Sequence, residues 1–221
     1  MKLSDNTVSV LKNYSTINQN LLINAGSTLT TMSAMKNIVA RATVAETFEQ
    51  DVAIYDLNEF LASLSLFESP DLDFQDKCVM MGNEGSRKSL KYWYSDPSVV
   101  TTVTREITMP ECEVSFKFSD KELSDITKAA AVIGVPDMVL ENGSLRVTDK
   151  KNDTANHFAM EVDYVDAVET DHKFWFKVEN LKLMPGTYEV DVSKNKISNF
   201  KNSNVDIEYF IALEPESYYG K

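Results

Sequence analysis

Apolar and polar residues alternate at every second position along much of the chain. Residues 113–118 and 157–164 are two such stretches, and both are rich in Val, Phe and Tyr. Alternation with this period is typical of half-buried antiparallel strands. Turn-forming residues separate the strands and predict hairpins. These turn signals lie at 24–26, 82–85, 141–143, 185–186 and 194–196.

Helical periodicity is strongest at two places. After Ser4, which is placed to cap a helix, apolar residues return on one face and polar residues, including Lys12, occupy the other. After Ser119 the same pattern recurs, with Lys121 and Lys128 on the polar face and a glycine as the stop signal. The sequence therefore predicts two amphipathic helices whose polar faces carry lysine.

Two shorter helices are predicted at 56–64 and 179–184, and Lys182 lies on the second of these. The four helices form two pairs that recur in the same order, which indicates an internal duplication. We expect an N-terminal domain at 1–108, which includes a connector at about 95–110, and a C-terminal domain at 109–221. Each domain would contain two short helices and many strands.

The charge balance argues against a nucleic-acid-binding protein. The 22 basic and 34 acidic residues give a formal net charge of −12, whereas phosphate contacts need clustered lysine and arginine. A protein that encloses DNA, or presents only one small face to it, is the exception. The apolar runs are shorter than the ~20 residues of a membrane span, and the N-terminus lacks the apolar stretch of a signal peptide. We therefore expect an intracellular protein.

No residue pattern predicts catalysis, a metal site or a cofactor. Cys78 and Cys112 lack the spacing of metal ligands, and His157 and His172 lie in strand-like segments where we expect solvent-exposed structural residues. The run 82–89 superficially resembles a phosphate loop, but it lacks the GK[ST] ending and no helix pattern follows. A hairpin turn is the better interpretation, and the chain is not expected to be an enzyme.

Several segments resemble, in the same order, the sliding clamp of the T-even-type bacteriophages, the processivity factor of the replicative polymerase. The most specific of them is the run DVAIYDLN at 51–58. The resemblance spans the chain and is weakest at 70–93 and 150–156. The other matching segments are 1–4, 11–13, 16–18, 60–61, 96–100, 184–186 with Tyr188, and 212–214.

This resemblance implies the DNA clamp fold, an α+β fold of two similar β-rich domains that each carry two short helices. It also implies a head-to-tail ring of three chains with duplex DNA in the central hole, strands on the outer wall and helices lining the hole. An ATP-dependent clamp loader would open the ring, which would tether the polymerase by that enzyme's C-terminal tail. The clamp would act without a cofactor in the cytoplasm of the infected bacterial host.

The resemblance also assigns roles to residues. The lysines on the polar helix faces would make weak, non-specific contacts with DNA phosphates. Because Asp56 and Glu59 add negative charge to the second helix, we expect the hole to be only mildly positive. The predicted DNA-facing residues are Lys12, Lys121, Lys128 and Lys182. The predicted residues for a partner peptide, in an apolar pocket beside the connector, are Val99, Val100, Tyr209, Phe210, Ile211 and Leu213.

Two alternatives from other classes stay open at this point. One is a β-rich, acidic phage structural or assembly protein that builds particles through its sheet edges. The other is a single-stranded DNA-binding protein of OB type that stacks bases on Tyr92, Trp93 and Tyr94. Few basic residues accompany those aromatic residues, so we expect the aromatic residues to pack into the core instead.

Overall fold

Three α-helices and sixteen strands alternate along residues 1–220, which are the residues that the computed structural model describes. The chain divides into two compact units, one at Met1–Arg105 and one that begins at Glu106. In both units the strands pair antiparallel, so the fold is a β-rich α+β fold. None of the helices in the described part of the chain is long and apolar enough to cross a membrane.

The first unit contains two helices and three small groups of paired strands. Strand β1 pairs with β4, β2 pairs with β3, and β5, β6 and β7 form a three-stranded sheet in that order. The elements are α1 (Asp5–Ile17), β1 (Leu21–Ile23), β2 (Gly26–Met32), β3 (Ile38–Phe48), β4 (Val52–Ile54), α2 (Leu57–Leu64), β5 (Asp71–Phe74), β6 (Cys78–Gly82) and β7 (Ser89–Trp93).

The second unit contains one α-helix, nine strands and a single 3-10 turn. One sheet has the strand order β11-β10-β9-β12-β16, and β8, β13, β14 and β15 pair with each other in sequence. The elements are β8 (Val114–Phe118), α3 (Asp120–Ile133), β9 (Asp137–Glu141), β10 (Ser144–Thr148), β11 (Phe158–Glu161), β12 (His172–Lys177), the 3-10 turn Val178–Asn180, β13 (Tyr188–Ser193), β14 (Ile197–Asn202), β15 (Ile207–Ala212) and β16 (Tyr218–Tyr219).

The predicted internal repeat is confirmed by the order of the elements. Both units contain a helix, four strands, a short helical segment and three further strands in this order, and the second unit adds β8 before its helix and β16 at its end. In each unit the first of the four strands pairs antiparallel with the fourth, as β1 pairs with β4 and β9 with β12. Met1, which precedes α1, exchanges two backbone hydrogen bonds with Leu72 of β5. In the second unit, β8 precedes α3 and pairs with β13 at the corresponding position.

The helix ends form where the sequence predicts them. The side chain of Ser4 caps α1, and Ser119 forms a capping box with Glu122 at the start of α3. Gly134 ends α3 with φ of 69°, a left-handed conformation that glycine adopts without steric cost. Each helix therefore has a defined phase, and its apolar face packs on the strands.

Both cores are built from the inward residues of the strands and the apolar helix faces. In the first unit, Val10, Leu11 and Tyr14 of α1 have no exposed area, and the Tyr14 hydroxyl donates to the backbone oxygen of Leu29 at 2.9 Å. In the second, aromatic side chains dominate. Its largest fully buried side chains are Phe116, Phe118, Phe174, Phe176, Tyr188, Phe200 and Tyr209.

The prediction of a helix at 179–184 is wrong. Only Val178–Asn180 forms a 3-10 turn, and Leu181 leaves the helical region with ψ of 54°. The backbone of Met184 instead bonds two tyrosine hydroxyls of the core, since its amide donates to Tyr209 and its oxygen accepts from Tyr188. These buried hydrogen bonds hold the segment extended against its local helical preference.

The exposure predicted for His172 is wrong, while His157 is exposed. His172 is fully buried because residues 172, 174 and 176 of β12 all point into the core.

The aromatic cluster at 92–94 also differs from the prediction. Tyr92 is buried, but Trp93 on the opposite face of β7 is 62% exposed, with the amino group of Lys91 5.2 Å from its ring centroid.

Candidate DNA-facing and partner-binding surfaces

Lys12 lies on the exposed polar face of α1, as its helical phase predicts. Together with Asp5 it borders a cavity of about 200 Å³ between α1, α2 and the segment that leads into β5. The sequence pattern gave no indication of this cavity, because its wall combines residues from three separate segments. The apolar lining consists of Leu3, Val8, Leu61, Leu64, Phe67, Pro70 and Leu72.

Lys121 and Lys128 are both exposed on α3, but their electrostatic settings differ. The amino group of Lys121 lies 2.8 Å from the carboxylate of Asp125, one helical turn away. The hydrogen bond that Lys121 donates to Asp125 raises the pKa of Lys121, and the same bond lowers the pKa of Asp125. Lys121 is therefore partly neutralised by its own helix, whereas Lys128 has a smaller electrostatic coupling to the same carboxylate.

Lys182 is half-buried in the extended segment that replaces the predicted fourth helix. It does not share a helical face with other lysines. The structure thus places Lys12, Lys121 and Lys128 on helices and leaves Lys182 outside one.

The helices are more acidic than the sequence interpretation assumed. The three helices together carry three lysines and five carboxylates. Two of these carboxylates are engaged locally: Glu122 completes the capping box, and Asp120 accepts a hydrogen bond from the amide of Gly186 at 2.8 Å. The formal charges of these three helices sum to a negative value, and the expectation of a mildly positive hole stays a prediction.

The connector presents one valine and buries the next. Asp96 caps a 3-10 turn at Pro97–Val99, which places Val99 54% exposed and Val100 only 7% exposed. The amide of Thr101 then donates to the side chain of Asn20 at 2.7 Å, so the connector is anchored to the first unit. Val99 is therefore the exposed valine of this segment.

The C-terminal segment of the predicted peptide site belongs to the core of the second unit. Tyr209 and Ile211 have no exposed area, and Phe210 and Leu213 are at most 7% exposed. Burial raises the pKa of Tyr209 above its ordinary value, and it raises the pKa of the neighbouring Tyr188 to about 12. Both hydroxyls serve as hydrogen-bonding groups inside the unit.

Residues 1–220 contain no cluster of three or more histidine, cysteine or carboxylate side chains arranged to hold a metal ion. Cys78 and Cys112 are free thiols, and burial is the main cause that raises the pKa of Cys112.

Comparison with known proteins decides the family. Residues 4–102 match the family model described as DNA polymerase processivity factor, and residues 116–215 match the one described as gp45 sliding clamp, C terminal. The sliding clamp of Vibrio phage KVP40 is 34% identical over 97% of this chain and 99% of its own length. The chain belongs to the phage sliding clamps.

Other relatives of this clamp agree. The sliding clamp of Enterobacteria phage T4 is 26% identical over 98% of both chains. Among solved structures, the proliferating cellular nuclear antigen of Entamoeba histolytica has a TM-score of 0.70 at 14% identity, covering 96% of this chain and 97% of its own. The Helicobacter pylori beta clamp, bound to a DNA ligase peptide, has a TM-score of 0.64 at 16% identity, covering 99% of this chain and 68% of its own.

The family assignment also decides between the functional classes. A sliding clamp is a polymerase processivity factor and not an enzyme, so the prediction of a non-catalytic protein is confirmed. The alternatives of a particle-building protein and a single-stranded DNA-binding protein are not favoured. The two-unit structure agrees with the clamp fold of its structural neighbours.

Proposed function

We propose that three copies of this chain form a head-to-tail ring that encloses duplex DNA and tethers the phage replicative polymerase. The observation that carries this proposal is the match to sliding-clamp families in both halves of a chain whose two units repeat one element order. A repeated unit lets three chains present six similar domains, so that a head-to-tail contact closes instead of growing into a filament. The ring would act in the cytoplasm of the infected bacterium.

Enclosure, rather than electrostatic attraction, would retain the DNA. Each chain has a formal charge of −12, and the helices carry more carboxylates than lysines. We propose that Lys12, Lys121, Lys128 and Lys182 face the DNA. Since Lys121 is paired with Asp125, Lys12 and Lys128 would supply more of the phosphate contact. A few weak contacts of this kind permit sliding, because phosphate contacts carry no sequence information.

The polymerase would be held through its C-terminal tail, in an apolar site beside the connector. Val99 supports this assignment because it is an exposed apolar side chain on a segment made rigid by Pro97 and anchored at Thr101. Apolar surface next to an ordered extended segment suits a short peptide. A role in tail binding stays a prediction for Val100, Tyr209, Phe210, Ile211 and Leu213. Because these side chains are buried, they would form the floor of the site, and the peptide would be anchored by exposed residues.

An ATP-dependent clamp loader would open the ring and place it on primed DNA. A closed ring cannot admit a circular template without opening, and ATP hydrolysis by the loader would drive this opening. The direct test is processive synthesis on a primed circular template with the cognate polymerase and loader. Long products that require this clamp would support the proposal, and product lengths unchanged by omitting the clamp would overturn it.

A further inference from the structure

The sequence contains a single asparagine–glycine pair, Asn142–Gly143, and this pair forms the turn between β9 and β10. Glu141 and Ser144 pair across the turn. The φ angles of 47° at Asn142 and 83° at Gly143 place both residues in the left-handed region, which is typical of a type I′ hairpin turn. Asn142 is exposed, so water reaches it.

This pair has the chemistry for spontaneous deamidation. The backbone nitrogen of Gly143, once its proton has been removed, can attack the side-chain carbon Cγ of Asn142 and close a cyclic succinimide. The C–N bond of the carboxamide then breaks, a proton returns to the leaving nitrogen, and ammonia departs. Water opens the ring to aspartate or isoaspartate. Glycine favours the attack because it has no Cβ to obstruct the approach of the backbone.

The folded chain restrains the attacking nitrogen. The amide of Gly143 donates to the hydroxyl of Tyr164 at 2.7 Å, and this hydroxyl lies 2.6 Å from Nε2 of His172. Burial raises the pKa of Tyr164, so the hydroxyl stays protonated and does not remove the amide proton. The nitrogen of Gly143 therefore keeps its proton while this hydrogen bond persists.

The carboxamide of Asn142 is restrained as well. Its nitrogen donates to Oδ1 of Asp171 at 3.0 Å, and its oxygen accepts from the backbone amide of His172 at 3.2 Å. The hydrogen bond from Asn142 lowers the pKa of Asp171, which keeps the carboxylate charged and strengthens the bond. Both bonds must break before the carboxamide can turn toward Gly143.

We propose that Asn142 is a deamidation site, and that Tyr164 and Asp171 set its rate by restraining the two reacting groups. Both residues lie in the loop between β11 and β12, so local opening of that loop releases both groups together. The reaction then proceeds from the open state, as amide hydrogen exchange does. It needs no enzyme, because Gly143 supplies the nucleophile and water supplies the new oxygen.

Deamidation changes the contacts of this turn. Aspartate at position 142 places a second carboxylate where the amide nitrogen lies 3.0 Å from Asp171, and like charges at this distance repel. Isoaspartate also adds a carbon to the main chain of the turn, which disturbs the register of β9 with β10. Because this register pairs the buried Leu140 with the buried Leu145, we expect the second unit to lose stability.

Peptide mass spectrometry of the full-length chain, incubated in water enriched in heavy oxygen, measures the rate at Asn142. We expect conversion to be at least about tenfold slower in the native chain than in the chain unfolded by urea. Tyr164→Phe and Asp171→Ala should each raise the native rate at least about fivefold, because each removes one restraining hydrogen bond. The matched controls are Tyr55→Phe, which removes an exposed hydroxyl, and Asp166→Ala, in the same loop as Asp171.

Each outcome decides a part of the proposal. An absence of conversion in urea overturns the site itself, and equal rates in the native and unfolded chains overturn its protection by the fold. Rates that neither variant raises above its control overturn the roles of Tyr164 and Asp171. A rise that is matched at Asn202, a buried asparagine of β14 in the same digest, reports general unfolding and overturns the local restraint.

Asn142→Asp tests the consequence of deamidation separately. This variant should unfold at a lower urea concentration than Asn156→Asp, which adds the same charge at an exposed position of the same unit. Equal unfolding midpoints for the two variants would overturn the expected loss of stability.

Discussion

The hydroxyl of Tyr164 lies 2.6 Å from Nε2 of the buried His172. The amide of Gly143 donates to the same hydroxyl at 2.7 Å, and Nδ1 of His172 lies 2.8 Å from the backbone oxygen of Thr170. Since Nδ1–H is the donor to Thr170, Nε2 accepts the tyrosine hydrogen. This chain of hydrogen bonds links the β9–β10 hairpin to the loop after β11.

Tyr164→Phe should destabilise the second unit. The change removes the acceptor of the Gly143 amide and the donor to His172, and a buried polar group without a partner costs about 1 to 3 kcal/mol. Urea unfolding measures this loss. Tyr218→Phe is the control because its hydroxyl makes an exposed hydrogen bond of 3.2 Å to Asp171. Equal stability of the two variants would show that the buried network contributes nothing specific.

Glu46 should make the stability of the first unit depend on pH. Burial opposes its ionisation, but hydrogen bonds from the Thr7 hydroxyl and the Ser4 amide outweigh burial and lower the pKa of Glu46. A carboxyl group with a lowered folded pKa stabilises the fold above its unfolded pKa. That contribution is lost as the pH falls through the folded value.

Glu46→Gln should therefore be less stable than the original chain at neutral pH, and the difference should shrink as the pH falls below the ordinary range of glutamate. Thermal or urea unfolding from pH 7 down to pH 3 measures the difference. Glu49→Gln changes an exposed neighbour on the same segment and is the control. A difference for Glu46→Gln that stays constant over this range would exclude a stabilising role of the ionised carboxylate.

Ser119→Ala should weaken the start of α3. It removes the side chain that accepts the Glu122 amide and one half of the capping box, which typically costs about 1 kcal/mol. Ser124→Ala, within the same helix, leaves the cap intact and should have a smaller effect. Equal unfolding midpoints for both variants would contradict the assigned cap.

The lysine assignment predicts a defect in loading and not in folding. Lys12, Lys128 and Lys182 changed together to Glu should leave the unfolding free energy nearly unchanged, because the first two side chains are exposed and the third is half-buried. Loading onto primed circular DNA should fall, since each lost phosphate contact weakens a salt-dependent interaction. Unchanged processive synthesis by the triple variant would remove these residues from the DNA-facing role.

Val99 gives the sharpest test of the peptide site. Val99→Asp should weaken binding of the polymerase C-terminal peptide by about 1 to 3 kcal/mol, the scale of one interface anchor, and isothermal calorimetry measures it. Val132→Asp, which alters an 84% exposed valine on α3, is the control. Val100 and Ile211 are unsuitable for this test, because a carboxylate at either buried position would destabilise the fold itself. Wild-type affinity of Val99→Asp would place the pocket elsewhere.

Local sequence signals predicted those parts of the fold that local interactions determine. Helices α1 and α3 begin at Ser4 and Ser119 as predicted, because cap residues and apolar periodicity agree there. The run 82–89 is the hairpin between β6 and β7, as predicted. The internal repeat could also be predicted from the sequence, since both halves keep the same order of elements.

The errors came from tertiary contacts that no local pattern reveals. The helix expected at 179–184 does not form, because the hydroxyls of Tyr188 and Tyr209 form hydrogen bonds with the backbone of Met184. His172 is buried because its phase within β12, and not its polarity, determines its environment. Among the candidate site residues, helical phase predicted the exposure of Lys12, Lys121 and Lys128, whereas the burial of Tyr209 and Ile211 depends on packing within the second unit.

Retention on circular DNA tests the central claim of enclosure most directly. The clamp is loaded onto a nicked circular duplex, washed at high salt to screen the lysine contacts, and then exposed to a restriction enzyme that cuts the circle once. A ring of about 75 kDa, three times the 24.9 kDa chain, should stay on the intact circle and be released when the circle is cut. Equal loss from the intact and the cut DNA at high salt would contradict enclosure.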